Sequence, residues 1–133
     1  MTESDLLEIA QCRFKEARLL HTNGYYAGAV YLAGYAIELM LKRHITKRLG
    51  WDNFPPSSSV KQTLYKHDLN ALLEFSGLKK YVDLDIELLT DWKAAGAWDS
   101  EKRYTKVTDV SQKQSQDALD AMRNILNFIS EQP

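Results

Sequence analysis

The sequence has one cysteine, three prolines and six glycines in 133 residues. A single cysteine excludes an internal disulfide, and one cysteine with three scattered histidines argues against a Cys/His zinc site. Cys12 lies in a helical pattern, so we expect a small packed side chain rather than a reactive thiol. No metal and no cofactor are predicted.

An excess of charge of either sign is also missing, because 17 Lys and Arg against 18 Asp and Glu leave a net charge of −1. A nucleic-acid site would therefore have to be a local patch. The N-terminus lacks a basic segment followed by an apolar run, so no signal peptide is predicted. The apolar run at 25–41 has the minimum length of a membrane span, but Glu38 interrupts it and no second candidate accompanies it. We expect a cytoplasmic protein without membrane contact.

The most informative stretch is residues 25–42, YYAGAVYLAGYAIELMLK. At ~100° per residue, Tyr31, Tyr35, Glu38 and Lys42 fall on one narrow stripe of a helix. The other faces are apolar, and a helix that is apolar nearly all round must be covered on most sides. We expect this helix to be central to a helical domain. Glu38 must then find hydrogen-bond donors or stay near solvent, because a buried, unpaired carboxylate is very costly.

Apolar spacing and capping residues predict an all-α chain with no strand. Pro55-Pro56 and Ser57 to Ser59 exclude a helix from the long segment 50–66, which is expected to be mobile or functional. The predicted architecture is one domain, residues 1–133, folded as an antiparallel up-and-down bundle of four main helices plus one short helix. The predicted helices are Ser4 to Thr22 with Ser4 as cap, Tyr25 to Leu49, a short one opened by His67-Asp68-Leu69 and ended by Gly77, Val82 to Ala97 with Ile86 inward, and one from Ser111.

Four sets of residues have a functional interpretation beside a structural one. In the stripe, Glu38 either organises a polar pocket lined by the Tyr31 and Tyr35 hydroxyls, or simply pairs with Lys42 beside core tyrosines. The basic cluster at the end of the same helix either contacts phosphate or offsets the helix dipole. That cluster consists of Lys42, Arg43, His44, Lys47 and Arg48.

The other two sets lie in connecting segments. His67 with Asp68 is either an acid-base group or a helix cap. Arg103 with Tyr104 either binds phosphate and stacks on a base, or pins a loop to the bundle. No glycine-rich phosphate loop, serine nucleophile motif or metal-spaced carboxylate set is present.

Residues 24–42, GYYAGAVYLAGYAIELMLK, resemble the central helix of the HEPN family, the higher eukaryotes and prokaryotes nucleotide-binding domain. Members often have a Tyr, a small residue and a Tyr-Leu-Ala-Gly-Tyr-like segment with Glu and Lys. His67-Asp68-Leu69 and Arg103-Tyr104 resemble the same branch, so the resemblance covers about residues 5 to 130. It implies an antiparallel helical bundle that forms homodimers. Many members are ribonucleases with an Arg-x4–6-His motif, and others accompany small nucleotidyltransferases in toxin-antitoxin pairs.

The ribonuclease motif is absent here, because no Arg is followed by His at that spacing. The hypothesis that follows is a non-catalytic, homodimeric HEPN-like module that binds a nucleotide, RNA or a nucleotidyltransferase partner, in a toxin-antitoxin or defence system. Alternatives are a divergent metal-independent ribonuclease toxin using Arg103 and His67, and a purely structural interaction protein. The candidate ligand-binding residues are Tyr31, Tyr35, Glu38, Lys42, His67, Arg103 and Tyr104.

Overall fold

The computed structural model describes residues 1–56, 67–96, 98 and 106–133. Within those ranges the chain forms six α-helices, a 3₁₀ turn at Val107–Asp109 and no strand, which confirms the all-α prediction. The helices are α1 Glu3–Thr22, α2 Tyr26–Arg48, α3 Leu69–Ser76, α4 Lys79–Asp83, α5 Ile86–Gly96 and α6 Gln112–Ser130. None of the described helices is long and apolar enough to cross a membrane.

Helices α1 and α2 form an antiparallel hairpin. Near the joint, the α1 residue Leu20 lies against Gly28 of α2. At the far end, Arg43 of α2 pairs with Glu3 of α1 at 2.7 Å. The predicted cap of α1 was wrong by two positions, because Thr2 accepts a hydrogen bond from the Asp5 amide in a capping box. The capping box satisfies two terminal amides reciprocally, which Ser4 does not do here.

Helix α2 is the central element, as its composition predicts. It packs against α1, α3 and α6. Its interior positions include Ala33, Ile37 and Leu41, each with no exposed surface. Because α2 is covered on several sides, its polar side chains must find partners inside the protein.

The predicted fourth helix is two helices, α4 and α5, separated by a turn at Leu84 and Asp85. The Asp85 carboxylate accepts a hydrogen bond from the Leu88 amide, so it starts a new helix where a continuous one was predicted. Ile86 is therefore in the first turn of α5, where it is 84% exposed, and the prediction that it points inward was wrong. Trp92 and Ala95, farther along the same helix, are buried.

Cys12 is exposed, so the prediction of a packed thiol was wrong. The buried residues of α1 are Leu6, Ala10 and Ala17, and Cys12 lies ~200° around the helix from Ala10. Its thiol donates a hydrogen bond to the Glu16 carboxylate at 3.2 Å, and this bond raises the pKa of Cys12. A raised pKa lowers the thiolate fraction, which agrees with the expectation of an unreactive thiol.

Candidate functional site

Glu38 is a buried carboxylate with a cationic or polar donor on each oxygen. Its residue exposure is 1%, in the middle of α2. Lys42 Nζ lies 2.9 Å from Oε2, one turn along the same helix. His67 Nδ1 lies 2.7 Å from Oε1, from the residue that precedes α3 by two positions. The expectation that Glu38 finds donors is confirmed, and the donors include a residue 29 positions away in the sequence.

The start of α3 explains how His67 reaches this carboxylate. Asp68 is the N-cap of α3, and its side chain accepts a hydrogen bond from the Ala71 amide at 3.2 Å. Leu69 and Leu72 anchor the helix in the core. The cap thus holds the chain entering α3, and His67 is left to contact α2 rather than to cap its own helix.

The bond to Glu38 also sets the chemistry of the imidazole. A carboxylate only accepts hydrogen bonds, so Nδ1 of His67 carries the proton that it donates. The other ring nitrogen, Nε2, is then available to a ligand as an acceptor, or as a donor when the ring is charged. With its side chain 51% exposed, His67 joins a buried negative charge to the surface of the protein.

Lys42 is enclosed by a segment that the sequence predicted to be irregular. Its ammonium lies 5.5 Å from the centre of the Phe54 ring, and Phe54 is 6% exposed. Two backbone hydrogen bonds join Phe54 to Met1. The Phe54 amide donates to the Met1 carbonyl at 2.7 Å, and the Met1 amine donates to the Phe54 carbonyl at 3.1 Å. These contacts hold residues 51–56 against the N-terminus. Residues 57–66, the remainder of the predicted mobile segment, lie outside the described residues.

The tyrosine end of the stripe is lined by an indole. The rings of Tyr31 and Trp98 lie 6.0 Å apart. Trp98 packs on Gly34, where an added Cβ would come within 2.4 Å of the indole, so the ring needs the bare backbone of glycine. The indole Nε1 of Trp98 is buried without a hydrogen-bond partner among the described residues. A buried donor of this kind marks a place where a polar ligand atom would be stabilised.

Tyr35 lies between the two ends of the stripe and is partly buried. Burial raises the pKa of Tyr35, and the nearby charge of Glu38 raises it further. The phenol therefore stays protonated and can donate a hydrogen bond.

The five basic residues that the sequence groups at the end of α2 do not form one patch. Lys42 is committed to the buried carboxylate, and Arg43 pairs with Glu3. His44 is buried at 6% exposure, whereas Arg48 is at the surface. These side chains therefore have different surroundings, which argues against the interpretation of all five as a single phosphate-contacting patch.

The structure brings together four of the seven candidate residues, Tyr35, Glu38, Lys42 and His67, and places Tyr31 beside Trp98. Arg103 and Tyr104 lie outside the described residues. Sequence reasoning missed Phe54 and Trp98, which follow from no local spacing. The described residues contain no group of three or more His, Cys, Asp or Glu side chains placed to hold a metal ion.

Comparison with known proteins identifies a family along nearly the whole chain. The model of the family described as HEPN domain matches residues 3–132. No curated protein and no solved structure matches the chain.

Proposed function

The chain belongs to the HEPN family, as its resemblance predicted, and on this premise we propose that it is a non-catalytic, homodimeric module that binds a nucleotide or RNA. The observation that carries the proposal is the buried Glu38 carboxylate, which orients a half-exposed His67 and is neutralised by Lys42. A site of this kind is preorganised, because its side chains are already held before a ligand arrives.

The polar groups have complementary parts in this proposal. His67 Nε2 hydrogen-bonds the ligand, while Glu38 fixes the ring through Nδ1. Tyr35 donates from its protonated hydroxyl, and Lys42 keeps the pocket from being anionic. The HEPN resemblance adds Arg103 and Tyr104, whose side-chain chemistry suits a phosphate and a base, respectively.

The architecture belongs to the same proposal. We assign α1, α2, α5 and α6 as the four main helices of an antiparallel up-and-down bundle in one domain, with α3 and α4 as short additions. The α1–α2, α2–α6 and α5–α6 contacts support this arrangement. Leu84 and Ile86, 85% and 84% exposed, form an apolar corner that is a candidate for the homodimer contact.

The proposal is tested by thermal unfolding and light scattering of the full chain. Added nucleotide, a short RNA or a neighbouring nucleotidyltransferase is expected to raise the melting temperature, since a ligand that binds only the folded state stabilises it. Both His67→Ala and Arg103→Ala should lose this response. His21→Ala is the matched control, because His21 pairs instead with Ser115 at 2.8 Å.

Two results would overturn this function. In the first, none of these ligands changes the melting temperature and Tyr35→Ala alters only the oligomeric state. This result is expected of a purely structural protein. The other is a wild-type chain that remains a monomer at high protein concentration.

The His67–Glu38 pair also favours a second candidate, a divergent metal-independent ribonuclease. A carboxylate behind an imidazole orients it for acid-base catalysis, and Arg103 would stabilise the scissile phosphate. This hypothesis requires RNA cleavage in the presence of a metal chelator that His67→Ala abolishes and His21→Ala retains. Intact RNA after long incubation with concentrated wild-type protein would eliminate it.

A further inference from the structure

A polar cavity lies at the end of α3 opposite to His67. It has a volume of about 220 Å³, and the C-terminal end of α2, the α3–α4 junction and the C-terminal residues border it. The lining residues include His44, Arg48, Ser76, Gly77, Lys80 and Tyr81. His44 and Arg48 are six and ten positions beyond Glu38 in α2, so this cavity lies about 9–15 Å along the helix from the Glu38 site.

His44 is a buried side chain at this cavity that has no hydrogen-bond partner among the described residues. Its ring nitrogens are not among the fully enclosed polar atoms that lack a partner, so the ring is open to the cavity that it lines. Burial lowers the pKa of His44, and the positive charges of Arg48, Lys47 and Arg43 lower it further. An anion that enters the cavity offsets these positive charges and accepts a hydrogen bond from the imidazole.

Arg48 is held across the cavity by a specific backbone arrangement. Its guanidinium donates a hydrogen bond to the Ser76 carbonyl at 2.9 Å. It also lies over Gly77, which has φ +80°, and an added Cβ there would come within 2.4 Å of the guanidinium. The left-handed backbone thus favours the glycine, and the guanidinium occupies the space that a side chain at this position would take. A surface arginine that is fixed in this way loses less entropy when it binds a ligand.

The cations at the cavity have no acidic side chain as a partner among the described residues. Neither Arg48 nor Lys80 forms an ion pair within the described parts of the chain, and no lining side chain is acidic. Lys79, the neighbour of Lys80, is by contrast paired with Asp83 at 2.7 Å. The cavity therefore has two cations without an ionic partner among the described residues, one of which lies 5.1 Å from the centre of the Tyr81 ring, and an imidazole. These groups come from two different helices.

We propose that this cavity is a binding site for the phosphate group of a small phosphate monoester, with His44, Arg48 and Lys80 as its ligands. Three donors that converge from two helices suit a phosphate, which presents several acceptor oxygens, better than a planar carboxylate. The volume is below the ~300–1,000 Å³ of sites that enclose a drug-sized molecule. The cavity thus holds the phosphate, and the remainder of the ligand lies outside it against the face of the exposed Tyr81 ring that the Lys80 ammonium does not cover.

The proposal predicts saturable binding of inorganic phosphate and of phenyl phosphate, measured by calorimetry and by the side-chain ¹⁵N resonances of His44. Phenyl phosphate should bind more tightly than phosphate, because its ring can stack on Tyr81. Arg48→Gln and Lys80→Gln should each weaken binding about ten-fold, which corresponds to ~1.4 kcal/mol. Lys79→Gln is the matched control, because it removes the same charge one residue away and should leave the affinity unchanged.

Three results would overturn the proposal. The first is His44 resonances that do not shift at saturating phosphate. The second is equal binding by the wild type and Lys80→Gln, a change at an exposed side chain that the fold tolerates. The third is a short RNA that binds equally with and without its 5′-phosphate and far more tightly than phenyl phosphate, which would indicate a nucleic-acid backbone as ligand.

Discussion

Replacing Lys42 by Met tests whether Glu38 is held as a buried charge. Methionine keeps most of the length and apolar stem of lysine but removes the ammonium. The Glu38 carboxylate, at 1% exposure, would then retain only the hydrogen bond from His67. Because His67 is half exposed, water weakens its electrostatic compensation of the carboxylate.

The expected cost follows from the burial of both partners. Removing one member of a buried ion pair costs ~3–5 kcal/mol, because the other charge is left without compensation. His67 remains in place, so we expect the lower end, ~3 kcal/mol, or about 10 °C in melting temperature. The double variant Glu38→Gln/Lys42→Met removes both charges and should be more stable than Lys42→Met alone.

Urea unfolding of the wild type, Lys42→Met, Glu38→Gln and the double variant forms a double-mutant cycle. Lys79→Met is the matched control, because Lys79 and Asp83 have the same four-residue spacing on an exposed helix surface, and no resolvable loss is expected. If Lys42→Met costs no more than this control, or if the two single effects simply add, the reasoning about a buried charge is refuted.

Three further predictions concern other parts of the molecule. Gly34→Ala should displace Trp98 and change the tryptophan fluorescence, at a cost of ~1–3 kcal/mol in the free energy of unfolding. Gly28→Ala should leave both the indole and the fluorescence unchanged. An unchanged spectrum in Gly34→Ala would contradict the packing of Trp98 on Gly34. Because the pKa of His44 is lowered in the folded protein, the unfolded state binds more protons than the folded state just below pH ~6.5. The stability that the protein has with His44 neutral is therefore complete above that pH and is lost as the pH falls. Unfolding measured from pH 7.5 to 5 should thus have a shallower slope in His44→Gln, and identical slopes would refute this. Tyr35 should ionise above the usual pH of about 10, so Tyr35→Phe should remove a late rather than an early step of a spectrophotometric titration.

The local features of the fold could be predicted from the sequence because they depend on neighbours. The end of α1 at Thr22, the end of α2 at Arg48 and the Asp68 cap of α3 agree with capping and turn chemistry. The break at Asp85 also has a local cause, but the apolar pattern around it resembles one continuous helix. Periodicity alone does not distinguish a helix from two helices joined by a short turn.

Within the candidate site, the stripe from Tyr31 to Lys42 could be predicted because a helix places residues three and four apart on one face. The meeting of His67 with Glu38, the packing of Phe54 under Lys42 and the contact of Trp98 with Gly34 could not. Each joins segments that are far apart in the chain, and no spacing rule relates them.

The sequence by itself determined that the chain is helical, that α2 is its central element and that Glu38 needs donors. These conclusions follow from hydrogen bonding and burial within one helix, where geometry is regular. Only the tertiary structure decided which donors Glu38 has, and that His44 and Arg48 border a separate cavity. Such pairings depend on how whole helices pack, and packing is a property of the complete core rather than of any segment.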